Sequence, residues 1–103
     1  MKYYHACTEN TAKQIINDGK FKVNNWEGIV YLADSAVNAA KFLVVRHPGE
    51  PITVFEIDNL DETKIEEQFD HSASFFQCKA YGYCENIPIT NVTNMYTVGQ
   101  AGE

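Results

Sequence analysis

Basic residues are scarce in this 103-residue chain, which has 8 Lys and Arg against 14 Asp and Glu. The formal net charge is therefore -6 at pH 7. This charge opposes non-specific contact with nucleic acid or with an anionic membrane, because both are negatively charged themselves. A nucleic-acid partner would need a local basic patch, and the scattered Lys and Arg residues do not predict one.

The sequence also lacks long apolar runs and paired cysteine motifs. No apolar run is long enough to span a bilayer, and the first five residues lack the apolar core of a signal peptide, so we expect a cytoplasmic protein without a membrane partner. Cys7, Cys78 and Cys84 form no C-x-x-C pair. This spacing argues against a disulfide framework or a zinc site and predicts reduced thiols.

What is present is typical of a soluble globular domain. Hydrophobic residues make up 45% of the chain and charged residues 21%, which is close to the average composition. The length allows one core, so we predict a single domain over residues 1–98 and a flexible tail over 99–103.

The first half of the chain carries clear signals for strands and helices. Lys2–Ala6 is rich in aromatic residues and predicts a strand, and Thr8 and Gly19 are suited to begin and end a helix. Ala12, Ile15 and Ile16 fall on one face of that helix. Ile29–Ala33 is an apolar run of strand length, and the small residues of Ala36–Val45 predict a helix that approaches the sheet closely.

The second half is read mainly from alternation and from proline. The predicted elements are a strand at Ile52–Ile57, a helical turn or two within the acidic stretch Asp61–Gln68, a strand at Phe75–Tyr83, an interruption at Pro88 and a final strand at Val92–Val98. Tyr81 and Tyr83 are expected on one face of the late strand, where core packing explains them as well as binding does.

The order of these features resembles the ADP-ribosyltransferase superfamily over nearly the whole chain. The matching features, in chain order, are a strand with His5, a helix capped by Thr8 and ended by Gly19, the Gly28-x-x-Tyr31-Leu32 strand, an Ala-rich helix, the Val54-Phe55-Glu56-Ile57 strand and Ile87-Pro88. The resemblance implies an α+β fold in which two small packed β-sheets, with two or three short helices, form a cleft that holds NAD.

The resemblance also implies roles for named residues. His5 would hydrogen-bond a ribose hydroxyl of NAD, and Tyr31 would stack on the nicotinamide ring. Ala6, Thr8 and Leu32 are the further residues expected to contact NAD. Without the resemblance, a lone His such as His5 is more often a hydrogen-bonded structural residue than a ligand, and a Tyr such as Tyr31 is usually a core residue with its hydroxyl at the rim.

A third catalytic residue is expected near the late strand. In the family, a Glu at this place stabilises the positive charge that develops on the ribose when nicotinamide leaves. Gln77 is the nearest polar residue, and it can hydrogen-bond a hydroxyl but carries no charge. Glu85 is the nearest acid and lies close to Ile87-Pro88. Glu56 and the Glu66-Glu67 pair are further candidates without motif support.

Two functions from different classes follow. The first is an NAD-dependent mono-ADP-ribosyltransferase that modifies an unidentified protein acceptor. The alternative is a catalytically inactive binding or inhibitor module on the same fold, which acts through protein-protein contact and whose acidic surface suits a partner with a basic face.

An RNA 2'-phosphotransferase would need converging basic residues, which this chain does not show. A Cys7-His5 nucleophile pair is disfavoured because no third group is placed to orient it.

Overall fold

The computed structural model of the protein describes residues 2–23, 28–44, 49–68 and 80–98, and it has an α+β fold. The strands are β1 (Tyr3–Thr8), β2 (Lys20–Phe21), β3 (Val30–Ala33), β4 (Ile52–Ile57), β5 (Ile65–Gln68), β6 (Ala80–Tyr83), β7 (Ile87–Pro88) and β8 (Val92–Val98). The α-helices are α1 (Glu9–Asp18) and α2 (Ala36–Val44), and short 3-10 turns occur at Glu62–Lys64 and Ile89–Asn91. The expected α+β class and two short helices are confirmed at this level.

Most of the described strands belong to one antiparallel sheet. Its six strands follow the order β5-β6-β3-β1-β4-β8, while β2 and β7 pair separately as a two-stranded ribbon. A six-stranded sheet with a small ribbon differs from the two small packed sheets that the resemblance implies. All six residues of β4, which lies between β1 and β8, are buried, so this strand contributes the largest share of the core.

The first helix begins and ends where its capping residues predict. The Thr8 hydroxyl accepts a hydrogen bond from the Thr11 amide, and Gly19 has a φ of 74° and donates its N–H to the Ile15 carbonyl at 2.9 Å. This left-handed conformation favours glycine because a side chain there would clash with the backbone. Of the three apolar residues on one face of this helix, Ala12 and Ile15 are buried, while 52% of Ile16 is exposed.

The pleat of the sheet divides its side chains between two faces. We call these the α1 face, where Tyr3, Cys7, Phe55 and Ile57 pack with α1, and the α2 face. The core of the α2 face consists of Ala33, Ala39, Ala40, Ile52 and Val54. Because three of these five residues are alanines, α2 lies close to β1 and β4.

The acidic stretch contains one helical turn, as predicted, followed by a strand that was not predicted. Asp61 caps a single 3-10 turn, and residues 65–68 then form β5, which pairs with β6 in a register that sets Ile65 opposite Tyr83. Pairing with a distant strand therefore overrides the local helical signal. The predicted strand at Phe75–Tyr83 is found at Ala80–Tyr83; its first part, with Gln77 and Cys78, lies outside the described residues.

Other predictions are tested only in part. In the described part of the chain, no helix is both long enough and apolar enough to cross a membrane. The predicted tail over 99–103 lies outside the described residues, and the boundary of a single domain at residue 98 stays a prediction.

Candidate functional site

The pairing between β1 and β3, the two central strands of the six-stranded sheet, is short. β1 pairs with β4 along its full length, from Tyr3 opposite Ile57 to Thr8 opposite Ile52. With β3, the described residues of β1 show a single pair, Tyr4 opposite Ala33. We call the stretch beyond this pair, with residues 5–8 on β1 and residues 30–32 on β3, the fork.

The side chain of His5 bridges the fork. Its Nδ1 lies 2.8 Å from the backbone carbonyl oxygen of Tyr31 on β3. A carbonyl oxygen only accepts, so Nδ1 carries the proton and donates. In the neutral ring, the lone pair is then on Nε2, which makes this nitrogen a hydrogen-bond acceptor. The tautomer is thus assigned from the hydrogen bond.

Aromatic packing holds the other side of the His5 ring. Phe21 contacts it edge-to-face with ring centroids 5.2 Å apart, and Phe21 contacts Phe55 in the same way at 5.1 Å. Burial of the ring lowers the pKa of His5 below 6.5, and the hydrogen bond to the Tyr31 carbonyl only partly opposes this shift. We therefore expect His5 to be neutral and fixed in orientation at pH 7.

Tyr31 contributes its backbone to this arrangement, while its side chain lies elsewhere. In β3 it alternates with Val30 and Leu32, which are buried in the core of the α1 face, so the Tyr31 side chain lies on the α2 face. It is 37% exposed, and Gly82 lies opposite it on β6. The side chains of His5 and Tyr31 thus lie on opposite faces of the sheet.

The other residues expected to contact NAD have local structural roles. The Thr8 hydroxyl caps α1 and also donates to the Thr11 hydroxyl at 3.1 Å. Leu32 is buried in the core of the α1 face, and Ala6 packs against the core of the α2 face. Of these three residues, Thr8 alone has a polar side chain, and its hydroxyl is already hydrogen-bonded to Thr11.

The candidates for the third catalytic position are not brought to His5 by any contact among the described residues. Gln77 lies outside those residues. Glu85 is exposed after the end of β6, and its carboxylate pairs with Lys64 Nζ at 2.8 Å. This hydrogen bond is the main reason why the pKa of Lys64 is raised.

Cys7 is not an activated nucleophile. It is buried on the same face of β1 as His5, and burial raises the pKa of its thiol to about 12. Since the thiolate is the reactive form, Cys7 is protonated and inert at pH 7.

Sequence reasoning gave Glu56 no motif support, yet it forms the most extensive polar contact in the described core. It is 7% exposed, lies on the α2 face of β4, and its carboxylate accepts from Lys2 Nζ at 2.7 Å, Tyr96 Oη at 2.7 Å and Thr93 Oγ1 at 3.2 Å. The bond from Lys2, followed by that from Tyr96, lowers the pKa of Glu56. An acid in the middle of an apolar strand was the available sequence signal. The carboxylate is ionised and well satisfied, which suits a structural role.

We expect Glu56→Gln to lower stability at pH 7 but to have a diminishing effect in acid. The folded pKa of Glu56 lies below 4.5, so its ionised form contributes stability above the unfolded pKa. As the pH falls below that value, the unfolded state binds the proton first and the contribution is lost. Urea unfolding of both proteins between about pH 7 and pH 3 measures the difference. Glu66→Gln, at an exposed position of β5, serves as the control, and a gap that stays constant with pH would contradict the expectation.

Comparison with known proteins bears on the fold. No family model matches the sequence, and no curated protein matches it. The structure is similar to the crystal structure of protein CC0527 from Caulobacter crescentus, with a TM-score of 0.67 and 11% identity over 94% of this chain and 85% of that chain. A double mutant of CC0527 matches with a TM-score of 0.65 over the same shares of both chains. At this identity, the similarity shows a shared fold and no more.

Proposed function

We propose that the protein binds NAD at the fork and acts as a mono-ADP-ribosyltransferase on an unidentified protein acceptor. The observation that carries the proposal is the His5 ring, whose Nδ1–H is held by the Tyr31 carbonyl across the fork at 2.8 Å. A neutral, fixed imidazole offers Nε2 to a ligand hydroxyl. The resemblance of the sequence to the ADP-ribosyltransferase superfamily identifies that hydroxyl as one of a ribose.

The fork explains how both predicted residues could contact one ligand. In an unbroken sheet, side chains on opposite faces are separated by backbone. An extended dinucleotide that enters between β1 and β3 beyond their single pair would contact His5 on the α1 face and the partly exposed Tyr31 ring on the α2 face. Stacking of Tyr31 on a planar ring would add orientation-specific contact.

The transfer reaction would make a specific demand on this site. The bond between nicotinamide and the ribose anomeric carbon breaks, nicotinamide leaves with the electron pair, and a nucleophile of the acceptor bonds to the same carbon and loses its proton. Positive charge develops on the ribose during this step. The π face of Tyr31 and the amide dipole of Gln77 would stabilise it less than a carboxylate does, so we expect slow transfer.

The test measures binding and chemistry separately. Calorimetry with NAD should show saturable binding, and incubation with NAD labelled in its ADP-ribose part and a cell lysate should show label on protein together with released nicotinamide. Tyr31→Phe should retain binding, whereas Tyr31→Ala should weaken it about tenfold through loss of the stacking surface. The absence of NAD binding would refute the proposal.

The second candidate is the inactive binding or inhibitor module, which a specific observation supports. Lys64 pairs with the Glu85 carboxylate, the nearest acid to the third position, and Gln77 cannot supply a charge. With a net charge of -6, such a module would bind a protein with a basic face, and salt would weaken the contact. Tight binding of a purified basic partner in calorimetry, with no response to NAD, would favour this candidate over the first.

A further inference from the structure

The two outer strands of the described sheet differ in how they resist pairing with another chain. β5 is four residues long and carries Glu66 and Glu67. β8 is seven residues long, and Val92–Val98 contains no charge, no proline and no glycine. Short length and charge commonly protect an edge strand, so β5 is protected by both and β8 by neither.

The backbone of β8 shows which groups face outward. The Met95 N–H donates to the side-chain oxygen of Asn94 at 2.9 Å, so it points away from β4. Outward groups recur at every second residue of an antiparallel strand, which places the N–H and carbonyl of Thr97 on the same open side. The Asn94 side chain also donates to Tyr96 Oη at 3.1 Å. The outward N–H of Met95 is thus hydrogen-bonded to the Asn94 side chain, and a carbonyl of a pairing strand could take the place of that side chain.

The regular part of this edge begins at Asn94. The register with β4 shifts between Glu56 and Ile57, so that Asn94 lies opposite Glu56 while Val92 lies opposite Ile57. A bulge of this kind ends regular pairing on one side. Among the described residues, no strand pairs with 94–98 on the side away from β4, so these five residues can pair with a second strand, and their central residue is Tyr96.

We propose that β8 pairs in an antiparallel direction with β8 of a second copy of the chain. A two-fold axis at Tyr96 sets Met95 opposite Thr97 of the other copy, so the outward groups of both residues are bonded. The contact is self-complementary and closes after two copies. Charge favours this arrangement over pairing through β5, because two β5 strands would bring four carboxylates together whereas two β8 strands bring none.

The expected association is weak. Two five-residue edges bury less area than a standard stable interface, the Asn94 bond must be exchanged, and both copies carry a charge of -6. We therefore expect a dissociation constant on the order of 0.1 mM, and lower affinity at low salt. The proposal does not depend on NAD binding.

Sedimentation equilibrium of the full chain between about 10 µM and 1 mM tests the stoichiometry. The mass should rise towards that of a dimer, and the Thr97 amide should become more protected from hydrogen exchange as the concentration rises. Met95→Lys should weaken the dimer more than tenfold, because it places an ammonium group on each edge. Val37→Lys changes the charge equally at a 63% exposed position of α2 and should leave the dimer intact.

Any one of these results would overturn the proposal: a monomer at about 1 mM, a dimer that Met95→Lys does not weaken, or a dimer in which the Thr97 amide stays unprotected. Circular dichroism of both lysine variants checks that each is folded. Sedimentation of the chain with an excess of an unrelated uncharged β-strand peptide separates self-pairing from general strand capture, since capture of that peptide with no dimer would also refute it.

Discussion

Phe55→Ala is expected to lower the free energy of unfolding by about 3–5 kcal/mol. Phe55 is fully buried in β4, with β1 on one side and β8 on the other, and it packs edge-to-face on Phe21. Removing the ring loses both its burial and its contacts, and the surrounding strands cannot close the cavity because their backbone positions are fixed by pairing. For a domain of this size the melting temperature should fall by at least about 12 °C.

Urea and thermal unfolding measure this loss of stability, and two further variants serve as controls. Phe55→Leu keeps most of the apolar volume and should cost less than half as much as Phe55→Ala. Ile16→Ala removes an apolar side chain that is 52% exposed on α1, and it should change stability by no more than about 0.5 kcal/mol. A loss below about 1.5 kcal/mol for Phe55→Ala would mean that this core is more loosely packed than the structure shows.

Phe55→Ala should also affect the orientation of His5 at the fork. Phe21 lies between Phe55 and His5, with edge-to-face contacts to both rings. If the Phe55 ring is lost, Phe21 can move into the cavity and the His5 ring loses one of its two supports. The stability of the core and the orientation of His5 are therefore coupled through one side chain.

The helices and strands that could be predicted are those whose sequence signals lie within a few neighbouring residues. Thr8 and Gly19 mark the ends of α1 because capping depends on their own side chain and backbone conformation. The apolar runs of β3 and β4 were likewise visible from their length and composition. β5 was missed because nothing within Ile65–Gln68 indicates that β6 lies beside it; only the complete sheet contains that information.

The same distinction applies to the candidate site. The position of His5 on the first strand could be predicted, but its partner is a backbone carbonyl of β3, and any residue at position 31 would supply one. The faces of β1 and β3 depend on which helix covers which side of the sheet, so sequence alone could not separate the side chains of His5 and Tyr31. Glu56 was visible as an acid in an apolar strand, yet its donors come from β8 and from Lys2, which are distant in the chain.

A pair of substitutions at His5 is expected to separate its structural bond from its proposed ligand bond. The amide nitrogen of an asparagine side chain falls near the position of Nδ1, so His5→Asn should keep the bond to the Tyr31 carbonyl while losing any group at the Nε2 position. The side chain of glutamine reaches the Nε2 position instead. We expect His5→Asn to weaken NAD binding about 10–100-fold because one ligand hydrogen bond is removed, with a loss of stability limited to the ring contact with Phe21.

His5→Gln should show the opposite behaviour, with NAD binding partly retained and stability about 1 kcal/mol lower than that of His5→Asn, because both variants lose the ring contact with Phe21 but only His5→Gln also loses the bond to the Tyr31 carbonyl. Calorimetry and urea unfolding of the two variants measure these effects. The wild-type affinity should also fall as the pH drops through the folded pKa of His5, which lies below 6.5, since protonation converts Nε2 from an acceptor to a donor. If His5→Asn binds NAD as tightly as the wild type at every pH, the role of the imidazole is limited to its hydrogen bond between β1 and β3, and the fork is not a nucleotide site.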